Sequence, residues 1–134
     1  MRVLAYTDGA SRGNPGDSGI GVILKDEKGN TLATHFDFIG TTTNNVAEYK
    51  ALVHCLKMAG ETKCTHLIVH SDSELMVRQL QGVYKVKDKE LRRFFDEARQ
   101  MLASAPFEFE IRHVAREENR QADELANKGI NLKT

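Results

Sequence analysis

The sequence predicts an α/β domain built on a five-stranded mixed sheet. Two features carry that reading. Three strand-like segments come first, the second and third joined by the Gly-Asn hairpin signal in Lys28-Gly29-Asn30-Thr31, so the sheet opens antiparallel. Helix-length segments then alternate with two further apolar runs, and crossovers of that kind bring strands in parallel. A chain of 134 residues suits one domain, residues 1–134, with a modest core.

Val3 to Thr7 is a short apolar run that reads as a buried strand. Gly9 to Gly19 is rich in glycine and holds Asn14-Pro15, which predicts a loop. Ile20 to Leu24 and Leu32 to Ile39 are strand-like, with Leu32, Phe36 and Phe38 on one face by the period of two. Thr41 to Asn45 is polar and supplies several helix caps. A helix follows from Val46 to Ala59, ended near Gly60. His66 to His70 is the fourth strand. Ser71 or Asp72 opens a helix to about Gln81, Asp88 to Ala103 forms the next, and Phe107 to Val114 is the fifth strand. Glu117 to about Lys128 is the last helix, with Gly129 as its stop.

The bulk composition narrows the function. No apolar run approaches the length that spans a membrane, and the first residues read as a strand rather than a signal peptide. Cys55 and Cys64 show neither CxxC spacing nor a surrounding His pattern, so buried thiols in a reduced, cytoplasmic setting are expected. The net charge is zero, which removes a global basic field and leaves any nucleic-acid affinity to local patches. Lys85, Lys87, Lys89, Arg92 and Arg93 form one such patch; Arg112, Arg116 and Arg120 form a thinner one.

Four carboxylates depart from the solvated positions that acids usually take. Asp8 ends the first predicted strand on the face of Leu4 and Tyr6, and Asp72 ends the fourth on the face of Ile68 and His70. Sites in open α/β sheets gather outside the carboxyl ends of strands. Glu48 heads a helical stripe that continues through Leu52, Cys55, Leu56 and Ala59, so it faces the core. Asp123 stands beside the stripe of Ala122, Leu125 and Ala126. A carboxylate facing a core is costly unless it is paired or holds a metal. Each also has a plainer role open to it: a turn for Asp8, a helix cap for Asp72, the helix dipole for Glu48 and a surface acid for Asp123. Converging, the four would offer the all-oxygen donor set that magnesium or manganese favours.

Tyr6-Thr7-Asp8-Gly9-Ala10-Ser11-Arg12-Gly13-Asn14-Pro15-Gly16, Thr42-Thr43-Asn44-Asn45-Val46-Ala47-Glu48, Ser71-Asp72-Ser73 and Asn119-Arg120-Gln121-Ala122-Asp123-Glu124-Leu125-Ala126 together resemble type 1 ribonuclease H over essentially the whole chain. The Gly-rich segment matches neither GxGxxG nor the P-loop. The resemblance implies a ribonuclease H-like fold with strand order 3-2-1-4-5. It implies an endonuclease that cuts the RNA strand of RNA–DNA hybrids, leaving 3′-OH and 5′-phosphate ends. It implies two ions, Mg2+ or Mn2+, held by Asp8, Glu48, Asp72 and Asp123. Asp8 would bridge the ions, Asp123 would lie on the side of the attacking water, and Glu48 and Asp72 on the side of the leaving oxygen. It also implies substrate contacts from Gly9, Asn14, Asn44 and Asn45, with Thr43 at a phosphate of the DNA strand. A monomer is expected.

The chain departs from many relatives in two respects. It has no Trp, and Leu80 to Glu90 is too short for their Trp-rich basic extension, so it resembles a compact subtype. The loop before Asp123 carries no His, which makes Arg116 the expected substitute and His113 the other candidate. Arg116 would stabilise phosphate charge, because a guanidinium does not give up its proton in the ordinary range. Glu74 stands where relatives often place a Gln, so its contact is in doubt. The competing readings are a weakly active or inactive hybrid-binding module, another nuclease or transposase of the same superfamily, and an interaction domain; the last leaves Glu48 unexplained.

Overall fold

The structure, a computed structural model, describes residues 1–133. Strands β1 (Arg2–Arg12), β2 (Gly16–Lys25), β3 (Thr31–Thr42), β4 (His66–Ser71) and β5 (Glu108–His113) form one sheet in the order β3-β2-β1-β4-β5. The β1/β2 and β2/β3 pairs are antiparallel, and β1/β4 and β4/β5 are parallel, as the sequence predicts. Helices α1 (Asn44–Thr62), α2 (Glu74–Leu80), α3 (Lys89–Ala103) and α4 (Arg120–Asn131) flank it, and a 3-10 turn, Arg116–Asn119, precedes α4.

One sheet face presents Val3, Ala5, Val22, Leu24, Leu67 and Val69 to Tyr49, Leu52, Cys55 and Leu56 of α1, all buried. On β2 the alternate residues Gly19 and Gly21 point the other way and receive α4. Cys55 and Cys64 are free and buried, as expected.

The predicted loop from Gly9 to Gly19 is mostly strand. β1 continues to Arg12 and pairs with β2 from Gly9↔Ile20 to Arg12↔Asp17, leaving Gly13, Asn14 and Pro15 to turn the chain. Two of the glycines that suggest a loop serve close packing instead: a Cβ at Gly9 would sit 2.2 Å from the Ala47 carbonyl carbon, and one at Gly19 would sit 2.4 Å from the Ala126 oxygen. Gly129 is likewise no helix stop. It lies inside α4, where a Cβ would meet the Asp37 carbonyl oxygen at 2.2 Å. Nor does α1 end at Gly60; it runs on to Thr62 and closes on Lys63 in the left-handed conformation, φ 59°, whose N–H donates to the Gly60 carbonyl. Phe36 and Phe38 share a face, opposite Gly21 and Gly19, but Leu32 is the extra residue at a bulge and is exposed.

These contacts set the sign of two glycine substitutions. Gly129→Ala is expected to lower stability by about 1–3 kcal/mol, because backbone rather than a flexible side chain must yield. Gly60→Ala, where nothing lies within 4 Å of the added methyl, is expected to raise stability by up to about 1 kcal/mol. Urea unfolding of both variants measures the difference.

Candidate active site

Asp8 lies on the central strand, opposite Gly21 and 5% exposed. Although β1 runs beyond it, pairing with β4 stops at Tyr6↔His70. Asp8 is therefore just past the point where the parallel partner leaves, and Asp72 follows Ser71, the last residue of that partner. The two acids flank the gap that opens between β1 and β4. Asp72 is not a helix cap: Ser73 caps α2, its Oγ accepting from the Met76 N–H at 3.2 Å, so the Asp72 carboxylate is free to turn to the gap.

Because α1 begins at Asn44, Glu48 is its fifth residue, beyond the first turn, and the helix dipole does not account for it. It is buried, and its Oε1 accepts a 3.0 Å hydrogen bond from the Gly9 N–H. Ligand oxygens of Asp8, Glu48 and Asp72 all lie within 4.8 Å of one another. Asp123, the fourth residue of α4, is half-buried, and its charge acts on Asp8. All four line one cleft of about 700 Å³.

Crowding raises the pKa values of Asp8, Glu48 and Asp72. Burial, then the charges of Asp72 and Asp123, push Asp8 up to about 8, against the lowering pull of the Gly9 N–H. Burial, then Asp8 and Asp72, hold Glu48 well above the usual carboxylate range. Burial raises Asp72 as well, opposed by the Arg116 charge and by hydrogen bonds that include Asn119. Charged carboxylates this close and this dry need a cation, and an oxygen-only donor set fits a hard divalent ion. The cluster can hold one.

The other predicted residues divide into two groups. Arg116 and His113, both exposed, line the same cleft, with Arg116 beside Asp72. Asn44 lines it too; its Oδ1 accepts from the Ser11 N–H at 2.8 Å, and its own N–H donates to Asn14 Oδ1 at 2.9 Å. The amide oxygens of Asn14 and Asn44 are thus engaged in fixing the loop, which leaves their NH2 groups for a ligand. Thr43 caps α1 and Asn45 is exposed in its first turn; neither lines the cleft, nor does Asn14. The Gly9 N–H is committed to Glu48, so Gly9 acts here on the carboxylate. Glu74 and the Lys85 to Arg93 patch are exposed and away from the cleft, with Arg92 paired to Asp96 at 3.1 Å and Arg93 over the Phe94 ring. Two residues of the site escape a reading by periodicity. Asn119 is buried, donates to the Thr7 carbonyl at 2.8 Å and also reaches Asp72. Arg12 lines the cleft near Asp123 together with Asn127. Asn119 has a weak signal, an amide at the start of an amphipathic helix; Arg12 has none.

Asp8 binds a proton more tightly folded than unfolded, so its ionisation destabilises the metal-free protein. That penalty is absent below about pH 4, grows as pH rises and is complete above about 8. Asp8→Asn in chelator is therefore expected to raise Tm by roughly 5 °C at pH 9 and hardly at all near pH 4. A pH series of thermal melts checks the sign.

A model of the family described as Reverse transcriptase-like matches residues 6–129. Ribonuclease HI of Halobacterium salinarum is 41% identical over 96% of this chain, which spans 64% of that relative. Ribonuclease H of Ruegeria is 33% identical over 96% of this chain and 90% of its own length. A crystal structure of LC11-RNase H1 in complex with an RNA/DNA hybrid superposes with a TM-score of 0.94 at 44% identity, covering 98% of each chain. With the strand order, the carboxylate cluster and these relatives in agreement, the chain belongs to the ribonuclease H family.

Proposed function

We propose that this chain is an endonuclease that hydrolyses the RNA strand of RNA–DNA hybrids and leaves 3′-OH and 5′-phosphate ends. The observation that carries the reading is the convergence of Asp8, Glu48 and Asp72 within 4.8 Å, with Asp123 in the same cleft. The likeness to a ribonuclease H1 solved with a hybrid supports the substrate. Asp8, Glu48, Asp72 and Asp123 would hold two divalent ions, magnesium or manganese, which when bound supply Lewis acidity at the scissile phosphate.

The remaining steps belong to the chain's own side chains. Gly9 fixes Glu48 by its N–H, and Asn119 braces Asp72 against β1, so the carboxylates keep their places while the duplex arrives. Arg116, at the rim beside Asp72, binds the phosphate and offsets charge that develops on it. The NH2 groups of Asn14, Asn44 and Asn45 reach toward ribose hydroxyls and base edges, and Thr43 toward a phosphate of the DNA strand. A ribose 2′-OH on the cut strand is what separates RNA from DNA. A single catalytic domain over residues 1–134, acting as a monomer in the cytoplasm, completes the proposal; its support is the pair of buried free thiols, which suit a reducing compartment. Among the described residues, no helix is long and apolar enough to cross a membrane.

Labelled hybrid with excess magnesium tests the activity. Cleavage is expected with magnesium, none in chelator, and a loss of roughly a hundredfold to a thousandfold or more in Asp8→Asn. Sustained cleavage in chelator would sink the metal-dependent reading. Arg116→Ala is expected to lower kcat about 10- to 100-fold without changing the shape of the pH–rate profile, since Arg does not titrate there. If His113→Ala removes a limb of that profile instead, the roles of the two residues are exchanged.

A further inference from the structure

Arg12 closes the β1 end of the cleft, and its surroundings fit a second grip on the substrate backbone. It is the last residue of β1 and is exposed. One guanidinium nitrogen donates to Asn131 Oδ1 at 2.8 Å and the other terminal nitrogen to Asn127 Oδ1 at 3.3 Å. Asn127 is itself tied to the turn that carries Asp123, its Nδ2 donating to the Asp123 carbonyl at 3.0 Å. The guanidinium is therefore fixed in register with a catalytic carboxylate.

Both of those partners are neutral amides. They orient the fork without offsetting its charge, and they use two of its five N–H groups. A merely structural link between the start of β2 and the residues just after α4 is already supplied nearby by Lys133, whose Nζ holds both oxygens of Asp17 at 3.0 Å. Asp17 is the residue opposite Arg12 in the sheet, yet it pairs with Lys133 and leaves Arg12 to the amides. Arg12 and Arg116 are the two Arg or Lys side chains that line the cleft among the described residues. Arg116 stands beside Asp72, whereas Arg12 is anchored to the turn of Asp123.

We propose that Arg12, oriented by Asn127 and Asn131, binds a phosphate of the nucleic-acid backbone next to the scissile one, so that two arginines bracket the carboxylates. The inference rests on the nucleic-acid reading of the cleft. A planar fork held on one edge presents its other edge to a phosphate at little further entropic cost.

Binding of a fluorescent hybrid, measured by anisotropy against NaCl in an Asp8→Asn background, tests this without turnover. Arg12→Gln is expected to weaken binding about 5- to 10-fold at about 100 mM salt and to lower the slope of log Kd against log salt by about one. Arg12→Lys keeps the slope but recovers only part of the affinity, and Asn127→Ala weakens binding with the slope intact. Thermal melts of each variant accompany the titrations. An unchanged Kd and slope in Arg12→Gln overturns the proposal. So does an affinity loss that tracks a fall in Tm and is not rescued by Lys, which would make Arg12 a structural tie. Wild-type cleavage is assayed in parallel. A wild type that binds hybrid with an Arg12-dependent slope but never cleaves it leaves this grip standing and removes the nuclease reading. A cleaving wild type with an Arg12-independent slope does the reverse.

Discussion

The hydrogen bond from the Gly9 N–H to Glu48 Oε1, 3.0 Å long, holds α1 against β1 at backbone distance. It forms because Gly9 has no side chain: any Cβ there would overlap the Ala47 and Glu48 backbone. The same device works on the opposite face. Gly21, directly across β2 from Asp8, lets the Ala122 to Ala126 turn of α4 descend onto the sheet, and Asp123 comes down with it. Carboxylate side chains are short, so four of them meet only if their backbones are brought close. Glycines at the two contact points supply that closeness, and the placement of the acids follows.

Closeness has an electrostatic consequence. Asp8, Glu48 and Asp72 each lose solvation, and each feels a neighbouring carboxylate charge: Asp72 and Asp123 act on Asp8, Asp8 and Asp72 on Glu48, and Asp123 on Asp72, so all three favour the protonated form in the protein alone. The fold keeps a cluster that destabilises it because other parts of the structure over-determine the arrangement. The Gly9 N–H favours the charged forms of Asp8 and Glu48 and Asn119 that of Asp72, and the apolar packing of α1 on β1, β2 and β4 fixes the helix regardless of charge. A divalent cation binds such a site in competition with protons, and its attraction to each acid offsets the repulsion among them.

How much of this is legible in the sequence depends on how local the signal is. The succession of strands and helices follows from period and turn chemistry, the strand order from the family resemblance, and the core-facing stripe of α1 places Glu48 correctly. Glycine is where local reading fails. Gly9, Gly19 and Gly129 look like loop and stop signals, yet each lies within a strand or helix at a point where another backbone presses against it. That contact is tertiary, with no trace in the neighbouring residues. Asp72 shows the same limit: whether it or Ser73 caps α2 decides if its carboxylate is available, and both residue types cap well. Arg12 lacked any local signal because the amides that orient it are more than a hundred residues away.

A chain with zero net charge can attract a polyanion only through local charges. The cleft presents four carboxylates to an incoming phosphate backbone, and cations bound among them cancel that field only at the centre. Beyond about 8–10 Å, solvent ions screen whatever remains, so charges that help must stand at the rim itself. Arg116 and Arg12 stand there, one near each pair of acids, whereas the lysines and arginines from Lys85 to Arg93 are on another part of the surface. Under the proposed function a division of labour would follow, the patch acting on the duplex as a whole and the rim arginines on phosphates beside the one to be cut. Sequence-independent contacts of both kinds position the backbone. The choice of strand would then fall to the proposed amide contacts of Asn14, Asn44 and Asn45 with the ribose.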